Sequence, residues 1–159
     1  AEICFQANND LCDRNDSVMF ATVFVGLLDP RTGEVRYCNA GHNPPYRIDR
    51  NGDVAPLELA GGIAFGVIPD TPYREDRLIL SPDDALFLYT DGVTEAMDLR
   101  NRLFSETRLE QTLRENGRLT MSALCGEVLD RIQEFAGQAP QSDDIAILGL
   151  RYRSPGTRS

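Results

Sequence analysis

A Thr90-Asp91-Gly92 triplet places a carboxylate directly after an apolar run, Ala85 to Tyr89, that has the pattern of a buried strand. A carboxylate at the mouth of such a strand is costly unless it is hydrated, paired or bound to a metal ion. The glycine that follows allows the backbone to approach an ion or another segment closely. Asp-Gly is also a common turn sequence, so Asp91 is either a metal ligand or an ordinary turn residue.

A second acidic feature, Asp143-Asp144, precedes the apolar run from Ile145 to Leu150. Adjacent carboxylates repel one another, and a neighbouring cation would relieve that repulsion. Charged residues also commonly flank hydrophobic strands without binding anything. If the two apolar runs pair as antiparallel strands, the end of one lies beside the start of the other. Asp91 and Asp143 would then meet at one edge of the sheet, where carboxylate oxygens suit Mg²⁺ or Mn²⁺.

Other kinds of catalytic site have little support in this sequence. His42 is the only histidine, which disfavours a zinc hydrolase built on imidazole ligands. We interpret it as a loop residue bonded to local backbone, with a general acid near a phosphate as the alternative. Gly61, Gly62 and Gly66 lack the strand-to-helix context of a nucleotide-binding loop and are interpreted as turn glycines. The sequence has no lysine for Schiff-base chemistry and no motif of a protein nucleophile.

The elements that must position these carboxylates are several strands, then two helices, then a final strand. Residues 19–28 form a nearly continuous β-prone run, which predicts a strand covered on both faces. Periodicity and turn signals also predict helices over 3–12, 105–116 and 121–135, and further strands over 34–39, 45–48, 54–59, 73–80, 85–90 and 145–150. This order predicts an α+β domain with a mostly antiparallel sheet.

Composition excludes several classes of protein. The 159 residues are 42% hydrophobic and 26% charged, as in a soluble globular domain. A net charge of −9 would repel nucleic-acid phosphates, so we expect no nucleic-acid partner. The four cysteines form no CxxC pair and are expected to be reduced thiols. Neither a signal peptide nor an apolar stretch of about 18 residues occurs, so we expect a cytoplasmic protein without a membrane partner. The chain starts without Met, which favours a removed upstream segment.

Four segments follow one another with sensible gaps: MFATVFVGLLDPRTGEVRYCNAGHNPP, GGIAFGV, LSPDDALFLYTDGVTEAMD and SDDIAIL. In this order they resemble the SpoIIE-like phosphatases of the metal-dependent PPM (protein phosphatase 2C-like) superfamily. The resemblance implies a mostly antiparallel β-sandwich flanked by helices, with serine/threonine protein phosphatase activity. It also implies two Mn²⁺ or Mg²⁺ ions that activate a water molecule for attack on phosphoserine or phosphothreonine, so that no side chain acts as the nucleophile.

The resemblance assigns roles to four residues of this chain. Asp91 and Asp143 match the metal-binding aspartates of the family. Asp144 and Gly92 would lie beside these ligands rather than on the metal. Asp83 stands at a turn position where the family usually has glycine.

Two family segments have no counterpart in this sequence. One is Gly-Asp-x-x-Asp, whose aspartate bridges both metals, and the other is Asp-x-x-Gly-His-Gly. Residues 1–152 would therefore be a partial phosphatase domain that lacks its N-terminal portion, with residues 153–159 as a polar tail. By itself this part would hold half a metal site, and we expect it to bind a divalent ion weakly.

The resemblance further implies a phosphorylated protein substrate, such as an anti-sigma-factor antagonist, and an upstream sensory or receiver domain. Two alternatives remain open. One is a non-catalytic pseudophosphatase that binds a signalling partner. The other, weaker one is an unrelated α+β domain that binds Ca²⁺ or Mg²⁺.

Overall fold

The computed structural model describes residues 1–13, 15–58 and 62–154. Its helices are α1 (Glu2–Asp13), α2 (Asp91–Thr94), α3 (Ser105–Asn116) and α4 (Met121–Ala136). Its strands are β1 (Val23–Leu28), β2 (Glu34–Ala40), β3 (Tyr46–Ile48), β4 (Val54–Pro56), β5 (Asp76–Ile79), β6 (Ala85–Tyr89) and β7 (Ile147–Arg151). These strands all pair antiparallel. The predicted α+β class with antiparallel sheets is confirmed.

The chain forms two compact units, each with one sheet. The first takes its described residues from 1–42 and 58–80, and the second consists of residues 43–57 and 81–153. All of the carboxylates predicted to bind metal belong to the second unit. Parts of three sequence predictions lie outside the described residues: Leu59 of the strand predicted over 54–59, Gly61, and residues 155–159 of the polar tail.

The first unit has a three-stranded sheet in the order β1-β2-β5. One face of α1 contributes to a small core with β2, as Cys4, Cys38 and Ala40 are almost fully buried there. Burial raises the pKa of the Cys38 thiol to about 12. A thiol of this kind is inert at neutral pH, since the thiolate is the reactive form.

The expectation of a strand over 19–28 covered on both faces is wrong. The strand begins only at Val23, and Met19 and Phe20 are mostly exposed. Asn15 accounts for the late start, because its side-chain oxygen accepts a hydrogen bond from the Met19 amide at 2.6 Å and holds the chain in a turn. β1 also pairs only with β2, so within the described residues it is an edge strand, and Leu27 is 67% exposed. An apolar run does not show how many faces are covered.

The second unit has a four-stranded sheet in the order β4-β3-β6-β7, with α3 and α4 in its core. β6 is one of its two central strands, and it buries Ala85 and Phe87 completely. The helices contribute apolar side chains at helical spacing, as predicted; the most buried are Leu109, Leu113, Leu124, Val128 and Ile132. This core fixes the end of β6, which Asp91 follows.

Residues at its two ends explain where α4 begins and ends. Thr120 accepts a hydrogen bond from the Ala123 amide at 3.3 Å and thereby caps the start of α4. Gly137 follows α4 with a φ of +59°, a backbone conformation that suits glycine and ends the helix as predicted. Among the described helices, none combines the length and the apolar character needed to cross a membrane.

Candidate metal centre

The strands β6 and β7 bring the predicted metal ligands to one edge of the sheet. They pair antiparallel, with Tyr89 opposite Ile147, as the sequence predicted. The pairing extends one residue beyond the strands, because the Thr90 amide donates to the carbonyl oxygen of Ala146 at 3.0 Å. Residues that follow β6 therefore lie beside residues that precede β7.

Thr90 fastens the two segments together through its side chain. Its hydroxyl donates a hydrogen bond to the carbonyl oxygen of Asp144 at 2.9 Å and accepts one from the Ala146 amide at 2.9 Å. One hydroxyl can fill both roles because it carries a donor and two lone pairs. The sequence analysis named Thr90 as part of the Thr90-Asp91-Gly92 triplet but assigned no role to its side chain.

Gly92 lets the backbone of the two segments come into contact. A Cβ atom added there would lie 2.9 Å from the carbonyl carbon of Asp144 and closer still to its oxygen. Such a contact is impossible without a backbone shift. Gly92 is buried, and the next residue, Val93, is completely buried in the core, so the short helix α2 cannot easily move away. The glycine expected from the sequence to permit close approach does so here.

The three carboxylates at this edge are exposed, and none of them has an arginine partner among residues 1–13, 15–58 and 62–154. One Asp91 oxygen accepts from the Gly92 amide at 3.1 Å, and one Asp143 oxygen accepts from the Asp144 amide at 2.7 Å. Across the described residues, the salt bridges all involve other acidic groups. This edge of the sheet therefore carries negative charge, and no basic side chain of the described residues forms an ion pair with it.

The donor set fits a hard divalent ion in chemistry but falls short in number. Carboxylate oxygens are the ligands that Mg²⁺ and Mn²⁺ prefer, and Mg²⁺ takes about six oxygen ligands. No group of three or more His, Cys, Asp or Glu side chains arranged to hold a metal ion is found among residues 1–13, 15–58 and 62–154. Asp91 and Asp143 would fill part of a coordination sphere, and water or other groups would complete it.

The turn before β6 depends on Asp84, a residue that the sequence analysis did not identify. Asp84 is only 1% exposed. Its carboxylate accepts hydrogen bonds from the Arg47 guanidinium at 2.6 Å and from the Ser81 amide at 3.0 Å. The neighbouring Asp83 has a φ of +71°, which agrees with a position where glycine is usual. This ion pair, between a buried carboxylate and a partly exposed arginine, positions the start of β6.

Asp98 lies in the loop after α2 and is a second buried carboxylate that sequence reasoning missed. Hydrogen bonds from the Arg102 backbone and side chain, together with the Arg100 amide, lower the pKa of Asp98 to about 2. All of its partners lie within four residues, so its role is to fold the loop.

His42 belongs to the first unit. Its backbone amide donates to the side-chain oxygen of Asn39 at 2.9 Å, and its backbone carbonyl accepts from the side-chain nitrogen Nδ2 of Asn39 at 2.8 Å. These bonds agree with the interpretation of His42 as a loop residue with local backbone bonds.

Comparison with known proteins identifies relatives over most of the chain. Protein IcfG from Synechocystis sp. is 36% identical over 146 residues, which are 89% of this chain and 22% of IcfG. Phosphoserine phosphatase RsbU from Bacillus subtilis is 26% identical over 149 residues, which are 91% of this chain and 43% of RsbU. The chain therefore spans less than half the length of either relative.

The fold matches that of a known phosphatase domain. The SiaA-PP2C domain of Pseudomonas aeruginosa superimposes with a TM-score of 0.82 at 22% identity, over 96% of this chain and 60% of that one. The sequence model of the Stage II sporulation protein E (SpoIIE) family matches residues 1–153. This chain belongs to the SpoIIE family and carries a PP2C-like phosphatase fold.

Proposed function

We propose that this chain is the part of a serine/threonine protein phosphatase that supplies Asp91 and Asp143 as ligands for Mn²⁺ or Mg²⁺. One observation carries the proposal. Thr90 and Gly92 bring the Asp91 and Asp143-Asp144 segments into backbone contact, and none of the arginines that the structure describes forms a salt bridge with these carboxylates. A structural role alone would not require an uncompensated group of negative charges at a tightly fixed sheet edge.

Each residue has a distinct task in the proposed reaction. Asp91 and Asp143 hold the metal, and Asp144 lies beside them and adds negative charge. Thr90 keeps the two ligand-bearing segments in register through its two hydrogen bonds. A divalent ion, when bound, supplies Lewis acidity and lowers the pKa of a water molecule, so that no side chain of the protein has to act as nucleophile.

The proposed substrate is a phosphoserine or phosphothreonine in a protein. RsbU, one of the relatives, is a phosphoserine phosphatase. A bound divalent ion would also reduce electrostatic repulsion. The chain has a net charge of −9, and its carboxylates without a metal would repel a phosphate dianion. By family resemblance, we propose bacterial signalling such as sigma-factor regulation as the setting. An anti-sigma-factor antagonist would be the substrate, and an upstream sensory or receiver domain would control the activity.

The alternative function is a non-catalytic interaction module. The observation that favours it is the small number of ligands, since the described residues contain no group of three metal-binding side chains. The two proposals differ in whether a divalent ion binds at Asp91 and Asp143.

A titration with Mn²⁺, followed by the electron paramagnetic resonance signal of the free ion, tests the proposal. We expect the chain to bind Mn²⁺ weakly and Asp91→Asn and Asp143→Asn each to lose at least about tenfold in affinity, since an amide lacks the charge that a hard cation needs. Asp144→Asn should have a smaller effect. The melting temperature of Asp91→Asn and Asp143→Asn should stay equal or rise, because repulsion is removed.

Asp130→Asn is the matched control, because Asp130 is an exposed carboxylate on α4. If Asp91→Asn and Asp143→Asn bind Mn²⁺ as well as Asp130→Asn does, these residues are turn and edge charges, and the interaction module becomes the better proposal.

A further inference from the structure

A cavity of about 340 Å³ opens in the second unit next to the candidate metal centre. Its walls come from α2, the loop after it, the end of α4 and the segment that leads to β7. We call it the Ile132 pocket, after the largest of the buried core residues in its wall. The residues that line it include Gly92, Met97, Ile132, Ala139, Ser142 and Ile145.

The wall of the pocket contains a chain neighbour of each proposed metal ligand. Gly92 in its wall directly follows Asp91, and Ser142 in its wall directly precedes Asp143. The wall is fixed in place, because the Ser142 hydroxyl donates to the carbonyl oxygen of Glu95 at 3.2 Å. The wall of the pocket therefore lies one residue along the chain from each of the two carboxylate-bearing residues.

None of the described residues that line this pocket is charged. This is unusual for a chain in which 26% of residues are charged. Three other cavities of the described chain are each lined by acidic and basic side chains. The wall of the Ile132 pocket includes Ile132, which is 3% exposed, together with the partly exposed Met97 and Ile145.

The chemistry of the lining determines which side chain it can accept. Burial of an apolar side chain against Ile132 and Ile145 is favourable, roughly in proportion to the apolar area removed from water. A carboxylate or an ammonium group would lose hydration without gaining a partner of opposite charge, because the polar groups of the lining, on Gln133, Gln141 and Ser142, are neutral. The volume lies near the lower end of the range for ligand pockets, which is about 300–1,000 Å³. The pocket therefore suits one or two uncharged side chains rather than a whole cofactor.

We propose that the Ile132 pocket is a specificity site that receives an uncharged side chain, of about the size of leucine, from the phosphoprotein substrate. This inference rests on the proposed function, because it takes the phosphorylated residue to lie at Asp91 and Asp143. Consecutive residues of an extended peptide are about 3.3 Å apart, so the side chain that enters the pocket belongs to a residue within one or two positions of the phosphoserine. The preferred substrate is thus a phosphoserine with an apolar close neighbour.

The test is a set of NMR titrations on the ¹⁵N-labelled chain with Mg²⁺ present. The probes are phosphoserine peptides of one sequence that carry either leucine or aspartate beside the phosphoserine, and the leucine peptide without phosphate. We expect the leucine phosphopeptide to shift the amide signals of Met97, Ala139 and Ser142 and to bind about tenfold more tightly than the aspartate phosphopeptide.

Two variants assign that preference to the pocket. Ala139→Asp places a charge in the wall and should abolish the preference for leucine, whereas Ala123→Asp places the same charge on an exposed position of α4 and should retain it. The amide spectra of both variants report whether each remains folded.

The outcomes separate this inference from the proposed function. Phosphopeptides that shift Gly92 and its neighbours equally well with leucine and with aspartate would overturn the specificity site and leave the phosphatase proposal intact. If phosphate adds nothing to the binding of the leucine peptide, then the proposed function fails and the assignment of the pocket to a substrate fails with it. A preference for leucine that survives in Ala139→Asp would also overturn the proposal.

Discussion

At the level of a single residue, a substitution of Gly92 tests whether close backbone contact positions the carboxylates. We expect Gly92→Ala to destabilise the protein by about 1–3 kcal/mol, because the added methyl group would overlap the Asp144 carbonyl. Mn²⁺ affinity should fall as well, since Asp91 and Asp143 would be pushed apart. Denaturant unfolding and Mn²⁺ titration measure the two effects.

The control is Gly126→Ala, because nothing lies within 4 Å of a Cβ atom added at that position of α4. Alanine is about 1 kcal/mol better than glycine inside a helix, so this variant should be more stable than the parent. A Gly92→Ala protein as stable as the parent would show that the Asp144 segment is free to move, and the fixed site would be disproved.

Asp98 gives the protein a stability that depends on pH. The lowered pKa, about 2 in the folded state, arises first from the hydrogen bond of the Arg102 backbone. Because the folded pKa lies below the unfolded one, the contribution of this carboxylate is present above about pH 4 and is lost as pH falls towards 2. We expect Asp98→Asn to have a lower melting temperature than the parent at pH 7. The difference should shrink between pH 4 and pH 2, as followed by circular dichroism. A difference that does not vary with pH would contradict this assignment.

At the level of secondary structure, Thr90 is the link between β6 and β7 beyond their ladder. Thr90→Val keeps the shape of the side chain but removes both hydrogen bonds, which leaves the Ala146 amide without its acceptor. We expect a loss of about 1–3 kcal/mol in stability and weaker Mn²⁺ binding. Thr90→Ser retains the hydroxyl and should bind Mn²⁺ nearly as well as the parent. If valine and serine behave alike, the hydroxyl does not position the ligands.

The elements also show what the sequence could and could not predict. The pairing of β6 with β7 follows from two apolar runs whose carboxylates would otherwise be unexplained, and the structure confirms it. The coverage of β1 was predicted wrongly, because a run of apolar residues reports side-chain type and not whether other elements cover each face of the strand. Asp84 was missed, and Thr90 was named without a role, because their important partners lie 34 to 37 and 54 to 56 residues away, respectively. Such long-range contacts leave no local pattern.

For the whole molecule, we predict little or no phosphatase activity from the 159-residue chain by itself. Two aspartates supply part of one coordination sphere, and the sequence contains no Gly-Asp-x-x-Asp segment whose aspartate could bridge a second ion. Without two ions, both the activation of water and the neutralisation of phosphate are weakened. In addition, the net charge of −9 would repel the phosphorylated substrate.

Hydrolysis of p-nitrophenyl phosphate with and without Mn²⁺ measures this activity. Asp91→Asn defines the background, because it removes a proposed ligand while the melting temperature should stay equal or rise. We expect the parent and Asp91→Asn to release phosphate at the same low rate, even though the parent binds Mn²⁺ more tightly. Turnover that requires Mn²⁺ and clearly exceeds the rate of Asp91→Asn would show that other groups complete the site within this chain. That result would contradict the half-site and would leave Asp91 as a ligand.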